Sequence, residues 1–353
     1  MLFDWARIFT VAGDGAGEIE RGYVLVRDGA IQAVGEGDAP ADLAEGATVI
    51  DCEGKTIMPG MVDTHSHIGG IGGADSAGPI QPGVRVMDSV NVRSSGFRRA
   101  LAGGLTTLNI MPGSGHLSSG RTIYAKLRFF PETETTPAGP RTIRDVFILD
   151  DDRRPMGGLK MANGTNSIRD TGGFPGTRAR SAFLVREQFI KAQEYKARWD
   201  AWNAKAETED DPGSPPARDL HLETFVDAMN GDIVVHHHTH RHDDIITVLR
   251  LAEEFGFRVV LHHVSEAWKV ADEIAAFEGV PGPDGEPWGA PCSVILVDSP
   301  GGKLEAIDLI YETAGVLEKA GARVAMHTDD WITDSRLFNR MAALAVRAGM
   351  SRE

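Results

Sequence analysis

The sequence predicts an α/β fold: a parallel sheet, either doubly wound or closed into a barrel, behind a small β module. Three observations carry that prediction. Residues 1–57 alternate short apolar runs with glycine turns and show no helical period. Strand-like and helix-like segments then succeed one another, most clearly from residue 232 onward, in consecutive βαβ units. Ten of the twelve histidines fall at or near the C-terminal ends of predicted strands, the ends that line the active face of parallel α/β folds.

In order along the chain, ARIFT, GYVLVRDGAIQAVGEG and TVIDCEG read as strands joined by Asp-Gly and Glu-Gly turns, with one possible helical turn near Asp42. This gives a module over 1–57, with the larger α/β domain over 58–353. Residues 112–180 are the hardest segment to place. A long charged helix, SAFLVREQFIKAQEYKARWDAWNAKAE, and a polar loop fill an insertion at about 181–230, read as a surface excursion between strands. DIVVHHH (232–238) is a strand. In the segment after it, Ile245, Val248, Leu249, Ala252 and Phe255 keep helical spacing, with Asp243 and Asp244 at the start and Gly256 past the end. FRVVLHHVSE is the next strand and EAWKVADEIAAFEG the next helix. APCSVILVDS, KLEAIDLIYETAGVLEKAG and RVAMHTDD follow as strand, helix and strand.

Composition narrows the function. The 353 residues are 42% hydrophobic and 25% charged, ordinary for a globular chain with a large core. A formal charge of −15 argues against a nucleic-acid or anionic-membrane surface and favours a small-molecule partner, with a homo-oligomer left open. Only Cys52 and Cys292 occur, so no disulfide framework is expected. With no signal-like start and no apolar run long enough to span a bilayer, the expected location is the cytoplasm.

The histidines point to a site. In TIMPGMVDTHSHIGG, His65 and His67 stand two apart on a strand and so face one side, where two imidazoles can meet one ion. In VVHHHTHR, His236 and His238 share a face, His237 points away, and His240 continues along the face of His238. His116, in a glycine-serine loop, is expected to be solvated, and His221 exposed.

The stretch Pro-Gly-Met-Val-Asp-x-His-x-His directly after a small β module resembles the amidohydrolase superfamily, closest to its imidazolonepropionase-like members. GLKMANG (158–164), RDLHLETFVDAMNGDIVVHHHTHR (218–241) and MHTDDWITDSRLF (326–338) resemble the same branch, and the likeness runs from about Ala6 to the end of the chain. It implies a small β-sandwich, a (β/α)8 barrel of the TIM type, and one or two divalent metals at the barrel mouth. The ligands implied are His65 and His67 from strand one, Lys160 from strand four, His238 from strand five, His263 from strand six and Asp329 from strand eight. His262 is then left to face the helix layer, Asp330 to point away, and His240 to touch substrate. In some members the strand-four lysine is carboxylated and bridges two metals, which requires a neutral amine; burial beside metal shifts it that way. Where the branch often carries Gly-Glu-Asn, this chain has Gly164, Thr165 and Asn166.

Imidazoles and a carboxylate suit zinc or a similar divalent ion. Such an ion makes hydroxide available near pH 7, with Asp329 as the catalytic group that takes the proton and returns it to a leaving nitrogen. The implied activity is hydrolysis of a C–N bond, of cyclic amide, amide, peptide or amidine type, in a small molecule. No Gly-x-Ser-x-Gly elbow or phosphate-binding loop points to a serine hydrolase or nucleotide enzyme. The rivals are a degenerate, non-catalytic metal-binding barrel and a doubly wound sheet that stores metal. The chain ends inside the helix expected after the eighth strand. The family's final sandwich strands are therefore expected to be missing, as in a truncated fragment, with an open sheet edge and poor stability.

Overall fold

The computed structural model describes residues 1–12, 17–72, 75, 77–128, 130–133, 139–170, 172–296, 303–330 and 332–352. The chain divides into two compact units, Met1–Met61 with Arg352–Glu353, and Val62–Ser351.

The first unit is a mixed sheet of β1 (Leu2–Phe9), β2 (Glu18–Arg27), β3 (Ala30–Glu36), β4 (Val49–Asp51) and β5 (Thr56–Ile57), with a short α1 (Ala41–Ala44). Its order is β3-β2-β1-β4, with β5 also pairing β1. The β2–β3 hairpin turns on Asp28 and Gly29, both at positive φ (53° and 77°). That is the requirement of a two-residue primed turn and the reason Asp-Gly stands there. Ala6, Ile8, Val24 and Cys52 form one buried cluster, and Leu2, Tyr23 and Leu25 another.

The second unit holds β6 (Met61–Ser66), α2 (Ser95–Ala102), β7 (Leu105–Ile110), β8 (Ser118–Arg121), β9 (Ile123–Lys126) and β10 (Leu159–Ala162). Then come α3 (Arg178–Ala206), α4 (Leu220–Asn230), β11 (Val235–Thr239), α5 (His242–Phe255), β12 (Val259–His263) and α6 (Ala271–Ala276). β13 (Cys292–Val294), α7 (Thr313–Ala320), β14 (Val324–Met326) and α8 (Phe338–Arg347) complete it. Two sheets result: β14-β13-β12-β11-β10-β8 and β6-β7-β9. From β10 to β14 the strands are parallel, as the βαβ reading requires. The two sheets approach twice. β8 and β9 are separated only by Thr122, one pairing antiparallel with β10 and the other with β7. At the other side a parallel bridge joins Ser66 to Asp330.

Register sets the faces. Lys160 pairs with His236, Ala162 with His238, His238 with His262, and His262 with Ser293. Residues level in a parallel pair share a face, so these side chains lie together on one side of the sheet. Met161, Leu261 and Cys292 take the other side and enter the main core, with Phe189 of α3, Phe225 of α4, Val248 and Ala252 of α5, Leu317 of α7 and Ala345 of α8.

Two sequence expectations need correction. KLEAIDLIYETAGVLEKAG is not one helix: a single 3-10 turn at Leu304–Ala306 precedes α7. EAWKVADEIAAFEG shortens to a 3-10 turn at Ala267–Lys269 and the six residues of α6.

Candidate metal centre

The end of β6 is anchored before it presents any ligand. Asp63 is fully buried and accepts hydrogen bonds from the backbone N–H groups of His65 (3.2 Å) and Thr328 (3.1 Å) and from the Thr328 hydroxyl (2.5 Å). Burial pushes its carboxyl up to about 7 despite those donors. This one side chain therefore ties the segment carrying His65 to the segment carrying Asp329. The Asp329 backbone N–H also donates to the His65 carbonyl oxygen at 3.0 Å.

His65, His67 and Asp329 meet there. The two Nε2 atoms are 3.2 Å apart, and Asp329 Oδ1 lies 3.0 Å from that of His67 and 3.4 Å from that of His65. His67 Nδ1 lies 2.8 Å from the Met111 carbonyl oxygen, which can only accept, so Nδ1 carries a proton and Nε2 is the nitrogen turned toward His65 and Asp329. The Lys160 amine, fully buried, is 3.2 Å from His65 Nε2 and 3.1 Å from the Met111 sulfur. Burial brings it down to about 7.

A second group stands beside the first. His238, His240 and His263 are all buried, with donor atoms within 4.8 Å of one another. The His263 ring lies 4.3 Å from that of His238 and 4.8 Å from that of His65. Alternation alone would send His263 to the helix side. The left-handed backbone at His263 (φ 71°) and Val264 (φ 49°) breaks the alternation and brings the ring back.

A third group is formed by His65, His262 and His327, which also bring donor atoms within 4.8 Å; His65 Nδ1 and His262 Nδ1 have no hydrogen-bond partner, whereas the other contacts of the group are made within the protein. His262 Nε2 is 3.0 Å from His236 Nδ1, whose Nε2 is 2.8 Å from the Tyr124 hydroxyl. His327 uses both nitrogens, Nδ1 on the Ser293 hydroxyl (2.7 Å) and Nε2 on His263 Nδ1 (3.1 Å).

The residues present fit a divalent ion. Buried nitrogens of His238, His240 and His263 have no hydrogen-bond partner, a costly state unless something else satisfies them. Two imidazole ligands about 2.0–2.1 Å from a tetrahedral ion stand roughly 3.3 Å apart, close to the 3.2 Å between His65 and His67. Burial holds His65, His238 and His263 well below the usual histidine range and His240 at about 3, so the rings are in their neutral, ligating form. Burial opposes ionisation of Asp329, yet the His67 hydrogen bond and the charges around it keep its carboxyl well below the ordinary range. The acceptors therefore converge on an ion with a carboxylate among them.

All the metal-ligand candidates read from the sequence thus come into two adjoining groups, Lys160 included. His240 is among them rather than apart. Asp330 does point away, taking the Ser335 hydroxyl at 2.5 Å and facing Arg99 at 3.6 Å, and His237 lies towards α3 and α5. His262 does not face the helix layer; its ring lies 5.0 Å from His65, because its pairing level with His238 puts it on the inner side. His116 is not solvated but 2% exposed, packed 5.3 Å from the Phe174 ring. His221 is exposed. Asp63, Ser265, Ser293 and Glu305 were not singled out by the sequence. Serine, aspartate and glutamate are too common for spacing to mark them.

No family model matches the chain. The amidohydrolase tasK of Hapsidospora irregularis is 28% identical over 267 residues, 71% of this chain and 27% of that protein. The imidazolonepropionase of Sphingopyxis alaskensis is 48% identical over 64 residues, 18% of this chain and 15% of its own length. The chain thus spans well under two thirds of these relatives. Among solved structures, an amidohydrolase from Thermotoga maritima MSB8 superposes with a TM-score of 0.80 at 29% identity, covering 99% of this chain and 84% of that one.

Proposed function

We propose that this chain, which belongs to the amidohydrolase superfamily, is a metal-dependent hydrolase of carbon–nitrogen bonds in a small molecule of cyclic amide, peptide or amidine type. The observation that carries the reading is the trio of the buried His65 and His67 with the partly buried Asp329, with two imidazole nitrogens 3.2 Å apart and a carboxylate oxygen 3.0 Å from one of them. His65, His67 and Asp329 would hold one divalent ion, with His238 and His263 beside them; nitrogen donors with one carboxylate favour zinc. When bound, the ion supplies a Lewis acid that lowers the pKa of water from about 15.7 to about 7.

The chain's own groups do the rest. Asp329, held ionised, takes a proton from the attacking water at a carboxylate oxygen and returns it to the departing nitrogen. Asp63 and the Thr328 amide fix the backbone that aims Asp329. Lys160 is the remaining ligand in this reading, as a carbamate: its buried amine, at about 7, is neutral often enough to take up carbon dioxide. Protein equilibrated with 13C-bicarbonate should then show a carbamate carbon resonance that Lys160→Met abolishes; no such resonance in metal-loaded protein would remove the carbamate.

We further read the second unit as one (β/α)8 barrel. Residues 118–126 would stand, antiparallel, between β7 and β10, with closure at the Ser66–Asp330 bridge. The first unit would be the small β-sandwich part. The functional test is turnover by the full chain across cyclic amides, dipeptides and amidines, beside its metal content. Asp329→Asn should cut kcat by about 10²–10⁴-fold, the usual worth of a positioned acid–base group. Metal bound in stoichiometric amount with no turnover of any of the three classes would instead support a non-catalytic metal-binding protein.

A further inference from the structure

We propose that His116 and Arg169 form a subsite for a carboxylate carried by the substrate, so that the molecule hydrolysed is an amide or peptide with a free acid group. The inference rests on the hydrolase reading above and narrows its substrate class.

His116 is buried, and neither of its ring nitrogens has a hydrogen-bond partner. Two stranded polar atoms on one buried ring are costly unless a bound group satisfies them. Burial, and after it the charge of Arg169, holds the ring below the usual histidine range, so it offers one N–H and one lone pair. Arg169 stands beside it, half-buried. Its guanidinium donates to the Gly115 carbonyl oxygen at 2.7 Å and lies 4.1 Å over the Phe174 ring, the same ring that packs 5.3 Å from His116. Neither of those contacts is an anion, so among the described residues the charge stays without a counter-ion. A Cβ at residue 115 would come within 2.9 Å of the guanidinium, and glycine there permits the approach. Asp75 is an acid whose charge reaches His116, but its carboxylate already accepts the Ala77 amide at 2.8 Å.

The pair stands near the strand ends that carry the candidate ligands. Met111, five residues before His116, holds His67 through its carbonyl oxygen and touches Lys160 through its sulfur. The Leu117 carbonyl oxygen accepts the Ala162 amide at 3.1 Å, and Ala162 pairs level with His238. The backbone beside His116 is thus two strand spacings, roughly 10 Å, from that of His238, a separation a dipeptide-sized molecule spans. Arg169 belongs to the loop after β10, the strand of Lys160, and Asn166 of the same loop donates to the Ser114 hydroxyl at 3.2 Å. A carboxylate set between the two loops would accept from the guanidinium and from the imidazole N–H, and the ring's lone pair would accept an N–H of the same molecule. Bonds from a cation to a carboxylate are the strong ones, so the acid fits here better than its amide.

The test measures, by calorimetry on the metal-loaded full chain, binding of N-acetylglycine and N-acetyl-L-leucine, each beside its amide. Wild-type protein should bind the acids about 10–100-fold more tightly than the amides. Arg169→Gln should abolish that preference, and Arg169→Lys, which keeps the charge but not the fork, should keep part of it. His116→Gln should weaken binding of the acids with metal content retained; this keeps the test open should Arg169→Gln fold poorly. Asn166→Ala cuts the other tie between the two loops and should leave the preference intact. A preference that persists in Arg169→Gln, one that is lost in Asn166→Ala, or none in wild-type protein overturns the proposal. The last of these, found together with turnover of uncharged amides, spares the proposed function. Arg169-dependent binding of the acids by a chain that holds metal and hydrolyses nothing supports the subsite and sinks the hydrolase reading.

Discussion

Asp63 offers nothing to an ion directly, yet it joins the two backbone segments on which the first ligand group depends. It accepts the amides of His65 and Thr328 and the Thr328 hydroxyl while fully buried. Asp63→Ala leaves those donors stranded, each at about 1–3 kcal/mol, so stability should fall by about 3 kcal/mol or more. Asp63→Asn keeps one carbonyl acceptor and gives up little, because burial already pushes the carboxyl up to about 7; it should cost clearly less. Urea melts of both variants check this, and equal losses would mean that the acceptor geometry is unimportant. At this scale the sequence was informative where chemistry is rare and blind where it is common. Two histidines spaced by one residue behind Val62–Asp63 mark themselves, whereas Asp63 needs Thr328, 265 residues away, to acquire a role. The inward turn of His263 rests on a positive φ that no spacing rule announces.

Among the elements, α5 was legible because its apolar residues, Ile245, Val248, Leu249, Ala252 and Phe255, are all buried on one face, and Gly256 closes it in the left-handed conformation. The stretch after residue 303 misled because tertiary contacts override propensity. Glu305, 3% exposed, turns inward to accept the Thr165 amide at 2.7 Å and faces Arg178 at 3.6 Å, while Leu304 and Ile307 are left 79% and 71% exposed. A regular amphipathic helix cannot bury the glutamate and expose those two. The insertion at about 181–230 read as a surface excursion, yet α3 supplies a core residue. Phe189 is fully buried, with ring centroids 4.7, 4.9 and 5.0 Å from Phe225, Phe255 and Phe257. Phe189→Ala should therefore cost about 3–5 kcal/mol through lost burial and the cavity left behind. Urea unfolding measures it, and a change under 1 kcal/mol would show that α3 is only appended.

For the molecule as a whole, the histidine-lined interior sets a limit on the acid side. His65, His236, His237, His238, His240, His262, His263 and His327 are all pushed below their ordinary range by burial, four of them to about 3 or 4. In the unfolded chain each takes a proton near 6.5. Below that pH the unfolded state binds more protons than the folded one, so stability falls as pH falls, by about 1.4 kcal/mol per pH unit for each such histidine. Asp63, raised to about 7, binds its proton preferentially in the folded state and works the other way, but by one proton only. The remaining carboxylates titrate mostly nearer 4 and leave this window to the histidines. Against a domain stability of about 5–15 kcal/mol, the sum exhausts the fold within roughly two pH units. The metal-free chain should therefore unfold cooperatively between about pH 6.5 and 5. Metal binds only the native, deprotonated ligands and adds stability by mass action, so the loaded protein should hold to lower pH. Circular dichroism against pH, with and without a chelator, reads both midpoints. A chelated chain still folded at pH 4 would contradict the buried, neutral histidine interior, and identical midpoints would show that these nitrogens hold no ion.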